Sequence, residues 1–258
     1  MDLALTGKTA FVSGSTQGIG YAIARALLEE GASVVINGRS EERVRSAVES
    51  LPGDVLGIAA DFAETTQVEG LLARIGDIDI LVNNVGLFEV APFDSLTDDD
   101  WQRYLDVNLM SAVRLSRALL PGMLERGWGR VISISSESGV NVPADMVHYG
   151  VTKAGMLALG NGLAKLTRGT QVTVNTILGG PTYSDGVAHA VGQIARAQDV
   201  AEPDLKAAII GGNATSLLQR FIEPAEIANL ALYLASPFSS ATNGAALRAD
   251  GGVLTGML

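Results

Sequence analysis

Cysteine is absent from the 258 residues, which excludes disulfides, thiol nucleophiles and cysteine-ligated metals. Histidine occurs only as His148 and His189, with no carboxylate spacing around either, so no metal site is expected. Aromatic residues are scarce at 5%, and basic residues are outnumbered, 18 against 28 acidic, for a net charge of −10. A nucleic-acid binder shows the opposite balance and a basic stripe, so no nucleic-acid partner is expected. No apolar run is long enough to span a membrane, and residues 1–9 lack the basic and apolar regions of a signal peptide. The expectation is a soluble cytoplasmic protein.

What is present is more telling. Hydrophobic residues make up 47% of a chain long enough to bury a full core without staples. Glycine is 30 of 258, above the usual ~7%, with no repeat to account for it. Such glycines serve tight turns and close backbone approaches.

Short apolar runs alternate with helix-length segments. Strands are predicted at 8–13, 33–37, 55–59, 79–83, 130–135, 171–177 and 245–248. Helices are predicted at 19–30, 41–50, 66–74, 98–126, 149–168 and 224–235. The long helix opens with a capping box, Thr97 to Asp100, and three aspartates suited to its positive end. Near-continuous apolar strands alternating with helices indicate a parallel sheet covered on both faces. The right-handed crossover rule makes it doubly wound. The whole chain, 1–258, reads as one α/β domain of about seven strands, Rossmann-like, with no repeat and no linker.

Three constellations carry chemistry. The first strand runs into Gly14-Ser15-Thr16-Gln17-Gly18-Ile19-Gly20, which opens a helix. Glycines there let the backbone turn and approach a pyrophosphate, while the helix start supplies N–H donors and positive potential. The spacing is G-x-x-x-G-x-G, and a tight turn without a ligand is the alternative. The second strand ends at Asn37-Gly38-Arg39, near the place where a dinucleotide fold holds the adenosine ribose. An acid there would suit NAD(H); Gly38 followed by Arg39, whose planar fork matches a phosphate, favours NADP(H) over NAD(H). The alternative for Arg39 is a solvated partner of Glu41 or Glu42. The third constellation is Tyr149-x-x-x-Lys153 on one helix face. A phenol near ~10 is a poor base at neutral pH, and a neighbouring ammonium is expected to favour phenolate.

Ser136 ends a strand thirteen residues before Tyr149. Asn83-Asn84-Val85-Gly86 follow the fourth strand, and Asn108 lies inside the long helix, where asparagine has poor propensity. Together with the glycine loop and Asp250-Gly251-Gly252 near the C-terminus, these motifs make the chain resemble the short-chain dehydrogenase/reductase family over nearly its whole length. The resemblance implies a catalytic tetrad of Asn108, Ser136, Tyr149 and Lys153. Tyr149 would exchange the substrate proton while hydride passes between nicotinamide and a carbonyl carbon. Ser136 would donate to the carbonyl oxygen, Lys153 would tune the phenol and bond the nicotinamide ribose, and Asn108 would hold a water. For Asn108 a buried structural amide is the alternative. Cofactor residues implied in the same way are Gly14, Ser15, Thr16, Gly18, Ile19, Gly20, Arg39, Asp61, Asn83, Gly86, Tyr149, Lys153, Gly180 and Thr182. Asp61 would face adenine or else cap a helix, and Asn83 would pin the central strand. Two departures stand out. Val85 replaces the usual alanine, and Gly179 stands where the family has Pro-Gly, which is expected to loosen the cover of the nicotinamide.

Residues 181–220 resemble the family's variable lid. Its few large side chains are Tyr183, His189, Val191, Ile194, Ile209 and Ile210; with Leu87, Phe88, Val90, Met146 and Val147 they are expected to form a mainly apolar pocket for a small to medium carbonyl or alcohol substrate, contact between His189 and the substrate being the lesser alternative. His148 is expected to turn away from the site, to a supporting or surface position. The resemblance also implies a homotetramer, or a homodimer, through the helices at 98–126 and 149–168. The function expected is an NADP(H)-dependent ketone/aldehyde–alcohol oxidoreductase of the CH–OH class (EC 1.1.1.-). A catalytically weak nucleotide sensor or scaffold of the same fold is the alternative.

Overall fold

The structure is a computed structural model and describes residues 2–257. Seven strands form one parallel sheet in the order β3-β2-β1-β4-β5-β6-β7. They are β1 (Thr9–Val12), β2 (Ser33–Gly38), β3 (Val55–Ala59), β4 (Ile80–Asn83), β5 (Trp128–Ser136), β6 (Gln171–Gly179) and β7 (Ala246–Ala249). The expected doubly wound α/β sheet is therefore present. β1 pairs with β2 and β4, Val12 lying beside both Ile36 and Val82. The winding reverses between β1 and β4, so their carboxyl ends splay apart and leave a crevice.

Two apolar layers explain why the strands are hydrophobic throughout. On one face α1 (Gly18–Glu29), α2 (Glu41–Ser50) and α9 (Pro224–Ala235) pack Ile23, Leu27, Ala47, Ile227 and Leu234 against Val12, Ile36 and Ile134. On the other, α3 (Thr65–Leu72), α5 (Ser111–Arg126) and α6 (Val147–Leu166) cover Phe11, Val35, Leu81, Val131 and Val174. The Thr97–Asp100 capping box forms at the start of α4 (Asp98–Tyr104). Residues 181–220, read as a lid of mixed pattern, contain α7 (Asp185–Gln198) and α8 (Glu202–Gly211). No helix among the described residues is long and apolar enough to cross a membrane.

The predicted helix at 98–126 is not uniform. Between α4 and α5 the turn widens into a π-helix, Leu105–Met110, with Asn108 inside it. π-turns cost hydrogen-bond geometry and recur at functional sites. Here the widened turn carries the asparagine whose position is otherwise unfavourable in a helix.

Candidate active site

A cleft of about 1000 Å³ opens at the carboxyl ends of the strands, with the glycine loop at one end and Ser136, Tyr149 and Lys153 on its wall. The loop follows β1 directly. Gly14 and Gly18 have φ of +61° and +60°, a region that L side chains avoid. A Cβ on Gly20 would stand 2.4 Å from the Gly14 carbonyl oxygen and 2.5 Å from Asn84 Nδ2, so only glycine fits. Gly14, Thr16, Gly18 and Ile19 line the cleft. Ser15 is fully buried beneath it, its hydroxyl donating to the Val12 carbonyl and accepting from the Asn37 amide. Ser15 and Gly20 thus shape the loop and are not among the residues lining the cleft.

Asn83 is corrected in the same way. Its Nδ2 donates to Ser116 Oγ at 3.3 Å, behind the sheet, so it braces the strand as expected but does not line the cleft. The neighbour that sequence reasoning passed over, Asn84, holds the loop: Nδ2 donates to the Ser13 and Gly14 carbonyls at 3.0 and 2.9 Å. Asn37 was also missed. It accepts from the Gly14 amide and donates to the Ile58 and Ala60 carbonyls, tying β1 to β3 across β2. A polar side chain at the end of each of two buried strands was the available signal. Val85, the larger residue in the family's alanine place, packs close to Gly14, leaving 2.9 Å for a Cβ there.

At the far end, Arg39 and Arg43 both line the cleft, and among the described residues neither forms an ion pair. The alternative pairing of Arg39 with Glu41 or Glu42 is therefore not seen. Gly38 packs closely on Thr16, whose Cγ2 would stand 2.6 Å from a Cβ there, so any larger residue requires the Thr16 side chain to shift. Asp61 also lines the cleft, and its carboxylate accepts from the Ala63 amide in a local turn.

The catalytic candidates converge from three elements. Ser136 ends β5, Tyr149 and Lys153 lie on the first turns of α6, and Asn108 reaches in from the π-turn. Asn108 is fully buried. Its Oδ1 accepts from the Leu87 amide at 2.6 Å, while Nδ2 donates to the Leu87 carbonyl and to Thr152 Oγ1. It clamps the loop after β4 to α6, which is the structural amide weighed as its alternative. Gly86 lies above this group; a Cβ there would sit 3.4 Å from Lys153 Nζ and 3.7 Å from Asn108 Oδ1.

The expected electrostatics of the Tyr–Lys pair need correction for the protein alone. Burial pushes the Tyr149 phenol up to about 12; the neighbouring Ser136 hydroxyl opposes that rise and the Glu137 carboxylate adds to it. Lys153 is buried, its ammonium pulled down to about 8 by desolvation. Its Nζ donates to the Ile134 carbonyl at 2.8 Å and lies 5.6 Å from the centre of the tyrosine ring. At that distance, desolvation outweighs the attraction that sequence spacing suggested.

Gly179 is also corrected. It stands within the sheet, paired with Ser136 on one side and Ala249 on the other, so the segment is held and not loosened. Its space is ordinary, with the nearest atoms 3.7 Å from a Cβ, whereas a Cβ on Gly180 would meet the Asp250 carbonyl oxygen at 2.4 Å. Gly179→Ala is therefore expected to leave stability within about 0.5 kcal/mol, and Gly180→Ala to cost about 1–3 kcal/mol. Urea melts of the two variants check this.

Of the pocket residues read from sequence, Leu87, Phe88, Val90, Met146 and Ile209 line the cleft, as do Gly180 and Thr182. Tyr183 does not: it donates to Glu202 and carries Lys206 over its ring. His189 is exposed and bonds Gln193. Ile194 is largely exposed, Val191 and Ile210 are buried, and Val147 is not in the lining. His148 is not at the surface but fully buried, edge-on to the Tyr104 ring at 4.1 Å. One lid contact had no sequence signal: the Asp185 carboxylate accepts from the Gly18 amide at 2.6 Å, joining the lid to the glycine loop. No cluster of three potential metal ligands occurs among the described residues.

This architecture is that of a dinucleotide-binding oxidoreductase. The sequence model for short chain dehydrogenases matches residues 8–193, and the chain belongs to that family. It is 44% identical to the uncharacterized oxidoreductase YvrD of Bacillus subtilis over 98% of this chain and 99% of that one. It is 32% identical to a D-beta-hydroxybutyrate dehydrogenase of Rhizobium meliloti over 95% and 98% of the two chains. Among solved structures, L-sorbose reductase from Gluconobacter frateurii, complexed with NADPH and L-sorbose, superposes with a TM-score of 0.93 at 30% identity, covering all of both chains.

Proposed function

We propose that this protein is an NADP(H)-dependent reductase that interconverts a ketone or aldehyde and its alcohol, with Tyr149 as the proton-exchanging group. The observation that carries the reading is convergence. Ser136, Tyr149 and Lys153 share one wall of a cleft whose other end is a glycine loop that only glycine can build.

The cleft's residues fit a nicotinamide dinucleotide. The loop would take the pyrophosphate, Arg39 and Arg43 a 2′-phosphate, Asp61 the adenine, and Gly86, Lys153, Gly180 and Thr182 the nicotinamide end. The bound cofactor supplies or accepts the hydride. The protein's own residues do the rest. Tyr149, protonated at rest, donates the proton that a reduced carbonyl oxygen needs. Lys153 places a buried cation below it, Ser136 offers a hydroxyl to the same oxygen, and Asn108 fixes the loop that walls the site. The L-sorbose reductase relative, complexed with NADPH, supports the choice of cofactor. So does position 38, where a glycine offers no carboxylate to hold the ribose of NAD(H). A loosened cover over the nicotinamide at Gly179 would favour the non-catalytic sensor, but Gly179 is held in the ladder between β5 and β7.

The apolar groove formed by Val113, Leu120, Pro121, Leu124, Leu159 and Leu163 on α5 and α6 supports assembly of the chain as a homotetramer or homodimer.

The test is initial-rate kinetics on a panel of ketones, aldehydes and alcohols with both cofactors, alongside nucleotide titrations. Arg39→Ala is expected to raise the Kd for NADPH about tenfold or more and that for NADH by less than about twofold. Equal effects on both would remove the NADP(H) preference.

A further inference from the structure

Glu137 follows Ser136 and lines the cleft, half-buried, in a single turn of 3-10 helix. Its Oε2 accepts from Ser136 Oγ at 2.6 Å and from Ser138 Oγ at 2.7 Å. Ser136 Oγ in turn accepts from the Ser138 amide at 3.1 Å. A serine hydroxyl has one proton, and here that proton is given to Glu137. It cannot at the same time be given to a substrate carbonyl. The carboxylate also keeps spare capacity: Oε1 has no hydrogen-bond partner among the described residues, and an ionised carboxylate accepts at about four positions. No ion pair among the described residues neutralises it.

We propose that Glu137 is the specificity-determining residue of this site, selecting neutral substrates that carry a hydroxyl next to the reacting carbonyl, and rejecting keto acids. This rests on the reductase reading above and narrows its substrate class. A substrate hydroxyl donates to Glu137 and takes the place of the Ser136 proton there. Ser136 is then free to turn its O–H to the carbonyl oxygen beside that hydroxyl. A ketone without the hydroxyl offers no exchange, and Ser136 stays bound to the carboxylate or leaves it short of a donor. A substrate carboxylate in the same place has no proton to give Glu137 and so cannot release Ser136, and it stands beside a like charge, which disfavours it. The relatives span both classes, since one acts on hydroxybutyrate by its name and another is complexed with a neutral sugar, so the fold alone does not choose.

The experiment uses the full-length protein with saturating NADPH, and NADH in parallel. Three probes are compared: acetoin, a neutral hydroxyketone; 2-butanone, which lacks its hydroxyl; and acetoacetate, an anionic keto acid. The wild type is expected to favour acetoin over 2-butanone by about tenfold or more in kcat/KM, the range for a hydrogen bond to a charged group. Glu137→Gln is expected to cut that ratio to below about threefold and to raise acetoacetate relative to acetoin, with the Kd for NADPH and the melting temperature unchanged. If the wild type and the variant turn over these carbonyls with the same ratios, Glu137 does not select substrate and the proposal is overturned while the reductase reading stands. If none of the panel in the previous section is turned over with either cofactor, the reductase reading itself fails, and this proposal with it.

Discussion

Tyr149→Phe is expected to lower kcat for carbonyl reduction by about 10²–10⁴-fold, the usual contribution of a positioned acid, while the Kd for the nucleotide moves by less than about twofold. The two side chains differ by one hydroxyl, so ring packing on the cleft wall is kept and only the exchangeable proton is removed. The phenol is held up at about 12 by burial, and in the reduction direction that is an advantage, since the donor stays protonated across the neutral range. Reduction by the wild type should accordingly be nearly flat between about pH 6 and 7, and should fall through about 8 as Lys153 loses its proton. Oxidation of the matching alcohol, which needs a group ready to accept a proton, should rise with pH over the same interval. Stopped-flow single turnovers with saturating cofactor separate the chemical step from product release. A Tyr149→Phe protein that reduces at the wild-type rate would remove the acid–base role.

The second large effect is at Lys153, where activity and stability are expected to move in opposite directions. Lys153→Met should lower turnover by about 10²-fold or more, because it removes the buried cation beside the phenol. It should also make the folded protein more stable at pH 7. The lysine's ordinary value is 10.5, and burial pulls it down to about 8. Below about pH 8 the folded chain carries the proton against the cost of burial, whereas the unfolded chain carries it freely up to 10.5. The penalty is therefore complete below 8 and is relieved as pH rises towards 10.5, where the unfolded chain also loses its proton. The shift corresponds to up to about 3 kcal/mol. Urea denaturation at pH 7 and pH 10 should show the variant ahead at the lower pH and the gap closing at the higher. A constant gap would mean that the ammonium bears no burial cost, its bond to the Ile134 carbonyl having compensated it.

A buried charge that destabilises the fold is the kind of local conflict that persists where function demands it. Asn108 is a second instance. Asparagine is a poor helix residue, and the chain accommodates it in a π-turn so that its amide faces Leu87 and Thr152. The sequence reveals such a conflict but not its resolution. An asparagine amid a helical pattern is visible in the one-dimensional string; the widened turn is not, because it depends on what the side chain finds across the gap.

The sheet, its parallel sense and the sites at its strand ends followed from local pattern. A strand buried on both faces must be apolar throughout, a tight strand-to-helix turn must be glycine, and an i, i+4 pair must share a helix face. These are short-range consequences of backbone geometry, which is why the glycine loop and the Tyr149–Lys153 pair could be read directly. What only the tertiary structure decided was which polar groups satisfy one another at long range. Asn84 rather than Asn83 reaches the glycine loop, seventy residues away in the chain. Asp185 meets Gly18 across an even longer separation. His148 takes the supporting and not the surface position left open for it, buried against Tyr104. The Ser136 proton goes to Glu137, although the two are adjacent, because the turn after β5 folds the carboxylate back over the strand end. Hydrogen-bond partnership and desolvation are set by distances of a few tenths of an ångström in a packed interior, and residue order carries those distances only through the completed fold.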